Sequence, residues 1–325
     1  MGLAKIIMRI FASAACMAFS LQPVSCPLRA QDVVYWEESA CESLEKGEID
    51  EAQRILQEAL EINPDNLNAL LYLGIALYYK NDLENAATKF AKVEREVDRI
   101  IGASRPFGDT VEFTELGMER RAEQLFSKKR RGLLYFCRGL SMKEAGDWKN
   151  AEKKFKEALK QKYDEKAVRL HLFDISVKKQ DLKAAAEQLS NLKKMREESE
   201  ISVFLGGYLM YREGDSAGAL ASFQKLAPTN SAAKNNMALI YYNGGDYSKA
   251  RQIWEEILSE NPEAKEAQIN IGRASFHLGE TEKAQEFFSQ AGIKTPPEKA
   301  SPQKLSLTYD HLLKELIFDL MCKVK

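Results

Sequence analysis

Alanine recurs at Ala52, Ala86, Ala151, Ala185, Ala219, Ala250 and Ala284, with successive gaps of 34, 65, 34, 34, 31 and 34 residues. A period of this length marks a solenoid, in which each unit buries its apolar face only against its neighbours. A chain of 325 residues would otherwise divide into two compact domains, but an array that grows along one axis has no need to. The same constraint argues against a catalytic site and in favour of an extended binding surface.

Residue types return at fixed offsets from each alanine. Four places earlier stands an acidic residue, Glu48, Asp82, Asp147, Asp181, Asp215, Asp246 or Glu280. There a carboxylate can accept from the free N–H groups that open a helix. Gly47, Gly146, Gly214, Gly245 and Gly279 come immediately before, suited to the turn that ends the preceding helix. Four places after the alanine lie Leu56, Phe90, Phe155, Leu189, Phe223, Trp254 and Phe288, and three further on Ala59, Val93, Ala158, Leu192, Leu226, Ile257 and Ala291. Offsets of four and three put these residues on one face of a second helix. Twelve places before the alanine, small residues (Ala40, Gly74, Gly139, Gly207, Ala238 and Gly272) mark where two helices cross.

This pattern resembles the tetratricopeptide repeat family. Counting each repeated alanine as position 20, Trp36, Leu73, Leu77, Tyr135, Met237, Tyr241 and Ile271 occupy the places where the family carries large apolar residues. Pro64, Pro262 and Pro296 stop the second helix at one common position. The resemblance implies an all-α, right-handed α-solenoid of about seven helix–turn–helix units. Two units span 31–100, with the first register beginning at residue 33, and five span 132–298. The fourth unit departs most, with Phe173 in the small position and Gln180 for the joint glycine. Its helix crossing is expected to be wider. The fifth is three residues short, Pro228 ending its second helix early.

Segments 1–30, 101–131 and 299–325 fall outside the repeat. In the first, Lys5 and Arg9 precede an apolar run from Ile10 to Leu21, followed by Pro23 and Pro27. This reads as a secretory signal of a bacterial protein, cut near Ala30, with an apolar run too short to span a membrane. A lipoprotein alternative would place an acyl group on Cys26, although Pro23 stands where a lipobox expects leucine. Export to the periplasm or cell envelope follows from either, with membrane contact only if Cys26 is lipidated. Cys41, Cys137 and Cys322 are an odd number at no recognisable spacing, so buried thiols are expected rather than a disulfide framework.

The 101–131 insertion opens on the turn signal Arg105-Pro106-Phe107-Gly108-Asp109. Residues 114–131 read as a helix with Leu116, Ala122, Leu125 and Phe126 as its apolar stripe. Lys128, Lys129, Arg130 and Arg131 fall at its C-terminus, either facing solvent there or forming a basic projection. Beyond Ser301, the spacing of Leu305, Tyr309, Leu312, Leu313, Leu316, Leu320 and Met321 predicts one amphipathic helix. Its expected role is to cap the exposed end of the array; a membrane-surface or dimerisation helix is the alternative.

Chemistry is sparsely signalled. His171, His277 and His311 stand alone, no pair of ligands has metal spacing, and no phosphate-cradling loop or nucleophile elbow occurs. No catalytic residue, metal or cofactor is expected. Lys plus Arg number 47 against 48 Asp plus Glu, so nothing draws the chain to nucleic acid over distance. A protein or peptide partner is the expectation that remains. In the family the resemblance names, the first helix of each unit lines the concave face, mainly through positions 2, 5, 9, 12 and 13. Those positions give a candidate groove of Leu71, Tyr78, Tyr79, Phe136, Phe204, Tyr208, Tyr211, Arg212, Asn235, Tyr242, Asn243 and Phe276, with His277 adding a polar group. Aromatic residues and Arg suit binding hot spots. The family's carboxylate clamp is absent, because position 5 holds no Lys or Arg, and an apolar or aromatic ligand is favoured. The mid-array cluster Phe204, Tyr208, Tyr211 and Arg212 is the preferred centre. Internal packing of these aromatics is the competing reading.

Overall fold

The computed structural model describes residues 30–103, 126–195, 199–293, 305–309 and 311–313. Among them no strand occurs. Helices α1 (Ala30–Glu45) and α2 (Ile49–Ile62) make the first unit, and α3 (Leu67–Tyr79) and α4 (Leu83–Ala103) the second. The third is α5 (Lys128–Glu144) with α6 (Trp148–Lys160), and the fourth α7 (Glu165–Lys178) with α8 (Leu182–Met195). Helices α9 (Glu200–Arg212) and α10 (Ser216–Leu226) form the fifth, α11 (Ser231–Asn243) and α12 (Tyr247–Glu260) the sixth, α13 (Lys265–His277) and α14 (Thr281–Gln290) the seventh. Each helix packs on the next in sequence, so the core runs along the array.

All seven repeated alanines are buried, and so are the large residues four places on, from Leu56 to Phe288. The small residue of the first helix meets that large residue. A Cβ placed on Gly74 would stand 2.6 Å from the Phe90 ring, and one on Gly139 2.7 Å from Phe155. The glycine is therefore what lets paired helices close onto an aromatic ring.

The joints follow one scheme. Gly214 adopts φ +95°, with its N–H on the Tyr211 carbonyl at 3.1 Å and the next N–H, of Asp215, on Met210 at 2.8 Å. This interlocked pair of bonds satisfies the last carbonyls of α9. Asp215 then caps α10, accepting from the Gly218 N–H at 2.8 Å. Asp82, Asp147, Asp181 and Asp246 cap in the same way. Glu48 and Glu280 do not: neither side chain makes a cap bond, because the added methylene carries the carboxylate past the helix end. Glu280 pairs with Arg251 at 2.5 Å instead. At the fourth joint Gln180 keeps the left-handed conformation, φ +61°, that glycine adopts at five joints and Asn81 at the second.

Two expectations change. Lys128–Arg131 do not end an insertion helix but form the first turn of α5, where Ser127 accepts from the Arg130 N–H at 3.2 Å. That cap fixes the start of α5 ahead of the four basic residues. Arg130 then reaches back to Glu37 of the first unit at 2.6 Å, and Asn68 donates to the other Glu37 oxygen, also at 2.6 Å. The predicted turn at 105–109 and most of the predicted helix lie outside the described residues; Phe126 of its stripe is buried in the core of the first three units.

The second change concerns the C-terminal segment. Residues 305–309 are not helical, whereas residues 311–313 form a helical turn. The segment's described residues make their hydrogen bonds and ring contacts with units four to six. It lies against the first helices of units four to six, with Leu307, Tyr309, Leu312 and Leu313 buried in their core.

Candidate binding groove

Main-chain recognition organises the groove. The Asn243 carboxamide accepts from the Leu305 N–H at 2.8 Å and donates to the Leu305 carbonyl at 2.8 Å. About two turns back along α11, Asn236 repeats the pattern on Thr308, accepting at 3.0 Å and donating at 2.9 Å. A carboxamide used this way stands in for the peptide group of a neighbouring strand. Seven helical residues rise about 10.5 Å, and three extended residues span about 9–10 Å. The two registers therefore match when the segment runs antiparallel to α11.

Past Asn236 the segment crosses to α9 and α7. Tyr309 lies 4.7 Å from the Tyr208 ring, edge-on, and 5.8 Å from Phe173. Its hydroxyl donates to Asp174 Oδ1 at 2.9 Å. Asp174 is fully buried, and its other oxygen accepts from Lys143 at 2.9 Å and faces Lys178 at 3.4 Å. Lys143 also donates to His171 Nδ1 at 3.2 Å. An ammonium has only donors, so Nδ1 is the unprotonated nitrogen. Burial, then the charges of Lys143 and Lys178, hold the His171 imidazole well below its ordinary pKa. Its ring stacks on Phe155 at 5.4 Å, and its Nε2 has no hydrogen-bond partner among the described residues. Finally, His311 meets Phe204 edge-on at 4.9 Å.

Of the predicted groove residues, Phe204, Tyr208 and Asn243 touch this segment directly. Tyr211 supports it, its hydroxyl accepting from Asn243 Nδ2 at 2.7 Å. Arg212 is exposed, donates to the Tyr208 hydroxyl at 2.9 Å, and helps line an open depression of about 610 Å³ beyond Asn243. Others serve packing. Leu71 and Phe136 are core residues of the first three units, with Tyr78 and Tyr79 partly buried against them. Asn235 accepts from Trp254 Nε1 at 2.8 Å inside its own unit. Tyr242 is buried against Tyr247, Trp254 and His277, and Phe276 lies beside His277. Position-based reading passed over Asn236 and His171 at position 6, and Lys143 and Asp174. A signal was available: Asn236 recurs as Asn270 one repeat later, and both are fully buried. A buried amide in an apolar helix needs a partner.

No group of His, Cys, Asp and Glu among the described residues is arranged to hold a metal ion. No helix among them is long and apolar enough to cross a membrane. Cys41 and Cys137 are buried, and burial pushes the Cys137 thiol up. Cys26 and the predicted export signal lie outside the described residues.

The tetratricopeptide repeat family model matches residues 38–98 and 235–298. A crystal structure of a tetratricopeptide repeat protein from Parabacteroides merdae superposes with a TM-score of 0.61 at 15% identity, over 90% of this chain and 99% of that one. The fold is a tetratricopeptide repeat solenoid. A second similar structure, the anaphase-promoting-complex hetero-tetramer Cut9–Hcn1, gives a TM-score of 0.56 at 14% identity. It covers 86% of this chain but 48% of the other, so the present tetratricopeptide array spans about half that relative's length. At such identities the likeness is one of fold. No curated protein matches the sequence.

Proposed function

We propose that this tetratricopeptide repeat protein is a non-enzymatic scaffold that binds an extended protein segment along the first helices of units four to six. One observation carries the reading: Asn236 and Asn243 are spaced to hold the main chain of an extended segment, whatever its side chains. Repeat arrays with such inner faces act through partners, and the first helices here present aromatic rings beside polar groups. The exported location is part of the same proposal. It rests on the charged, apolar and proline-bearing order of residues 1–30 and puts the scaffold in a bacterial periplasm or envelope. An assembly or chaperone-like factor acylated at Cys26 is the variant of this reading.

The test is affinity capture from an envelope fraction with the full chain, beside an Asn236→Ala/Asn243→Ala variant of equal helicity. A partner held by the first and lost by the second supports the groove. Partners retained equally by both remove it. Recovery of the chain in the cytoplasm, with residues 1–30 still attached, contradicts the envelope assignment. Cleavage before Cys26 with a lipid-sized mass increment selects the anchored variant.

A further inference from the structure

The segment that fills the groove belongs to the chain itself, which identifies both a ligand chemistry and a competitor. We infer that the groove of units four to six is a receptor site for an extended partner segment of the pattern apolar–x–apolar–x–Tyr, and that residues 305–313 are its displaceable resident. The inference rests on the groove reading above and deepens it.

Three features set the ligand class. The carboxamides of Asn243 and Asn236 bond main-chain groups three residues apart, at Leu305 and Thr308. Between and after those anchors Leu307 and Tyr309 are buried, while Ser306 is exposed. The alternation defines two side-chain sites with a free position before them. The second site is chemically selective. Its floor is Asp174, whose Oδ2 is held by Lys143 and whose Oδ1 takes the Tyr309 hydroxyl. A fully buried carboxylate oxygen left without a donor is costly, so a segment with Phe at this place is disfavoured against one with Tyr.

Attachment to the array makes the resident an effective competitor. A segment tethered by a short linker acts at an effective concentration on the order of 1 mM. With an intrinsic dissociation constant of about 10 µM, it would weaken the entry of a free segment about 100-fold. Among the described residues its hold includes two carboxamides, one hydroxyl, ring contacts and four buried apolar side chains, in a segment that enters no repeat unit. It can therefore leave without unfolding the solenoid.

A fluorescein-labelled peptide of residues 303–313 is the probe. It is titrated into the full chain, into the full chain carrying Leu307→Asp/Tyr309→Ala, and into that variant with Asn236→Ala/Asn243→Ala added. Release of the resident is expected to tighten peptide binding about 100-fold, and a peptide with Tyr309→Phe should bind the released chain at least about 10-fold more weakly. Equal affinity of native and released chains overturns the competition and leaves the groove standing. Equal affinity of the Tyr and Phe peptides overturns the role of Asp174. Failure of the released chain to bind, at native helicity and melting temperature, sinks the groove itself. Concentration-dependent dimerisation of the native chain would instead assign the resident to a second copy. Amide exchange of the native chain guards against a misfolded variant: Leu305 and Thr308 should exchange far faster than amides in α10. Exchange at the same rate would make the segment a fixed part of the fold and overturn the proposal.

Discussion

The Asn236 carboxamide grips both main-chain groups of Thr308, accepting its N–H at 3.0 Å and donating to its carbonyl at 2.9 Å. A side chain 72 residues away thus supplies what a neighbouring strand would. Because Leu305 and Thr308 lie on one short segment, losing either grip weakens both. In Asn236→Ala the Thr308 amide should lose about 10-fold to 100-fold of its exchange protection, two hydrogen bonds being worth about 1–3 kcal/mol together. Leu305 should follow in part. Unchanged protection at both amides, read by exchange with mass spectrometry or NMR, would show that the apolar contacts alone order the segment.

Gly139 faces the Phe155 ring where α5 crosses α6, and an added Cβ would approach it to 2.7 Å. Phe155 is fully buried and packed against the rings of Phe136 and His171. Gly139→Ala gains about 1 kcal/mol in helix propensity but overpacks the crossing by about 1–3 kcal/mol, so a net loss of up to about 2 kcal/mol is expected. Adding Phe155→Leu should cost less than the sum of the two single changes. Strict additivity in urea titrations would mean that the ring does not set the crossing.

Gln180 holds φ +61° at a joint where five other units place glycine. A side chain in the left-handed region costs about 1–2 kcal/mol, against about 0.5–1 kcal/mol of extra chain entropy lost by glycine on folding. Gln180→Gly should therefore raise stability by about 0.5–1 kcal/mol, seen as a higher urea midpoint at unchanged slope. A lower midpoint would point to contacts of the Gln180 side chain that outweigh its backbone.

His171 makes stability pH-dependent in a window away from the carboxylates. Its folded pKa lies well below the ordinary value of 6.5, chiefly through burial. Below about pH 6.5 the unfolded chain takes up a proton that the folded chain refuses, so stability falls as pH falls. The slope is at most about 1.4 kcal/mol per pH unit and persists down to the depressed folded pKa. Between about pH 7.5 and 5.5 the native chain should lose stability while His171→Gln shows a flatter profile. Parallel profiles would place the acid sensitivity elsewhere.

Local registers were legible because each unit repeats the same short-range physics. Alanine, joint glycine, acidic cap and large apolar residue each act within one helix pair, and spacing alone located them. The cap rule carried to five aspartates but not to Glu48 and Glu280, where one methylene decides whether a carboxylate reaches a helix N–H. The Phe173 departure was also visible, yet not its use: the ring is fully buried and turned edge-on to Tyr208 and Tyr309.

The C-terminal segment marks the boundary of such reading. Leu305, Tyr309, Leu312 and Leu313 fit a helical stripe, while Leu305, Leu307 and Tyr309 fit the alternation of an extended chain equally well. No residue within the segment chooses between them. The choice is made by Asn236, Asn243 and Asp174, which lie 62 to 135 residues away in sequence and offer bonds only to an extended main chain and a hydroxyl. By itself the sequence determined the solenoid, because repetition is local. Which part of the inner face is open and which is filled was decided by the tertiary structure, because buried polar groups from separate units must find their partners in space.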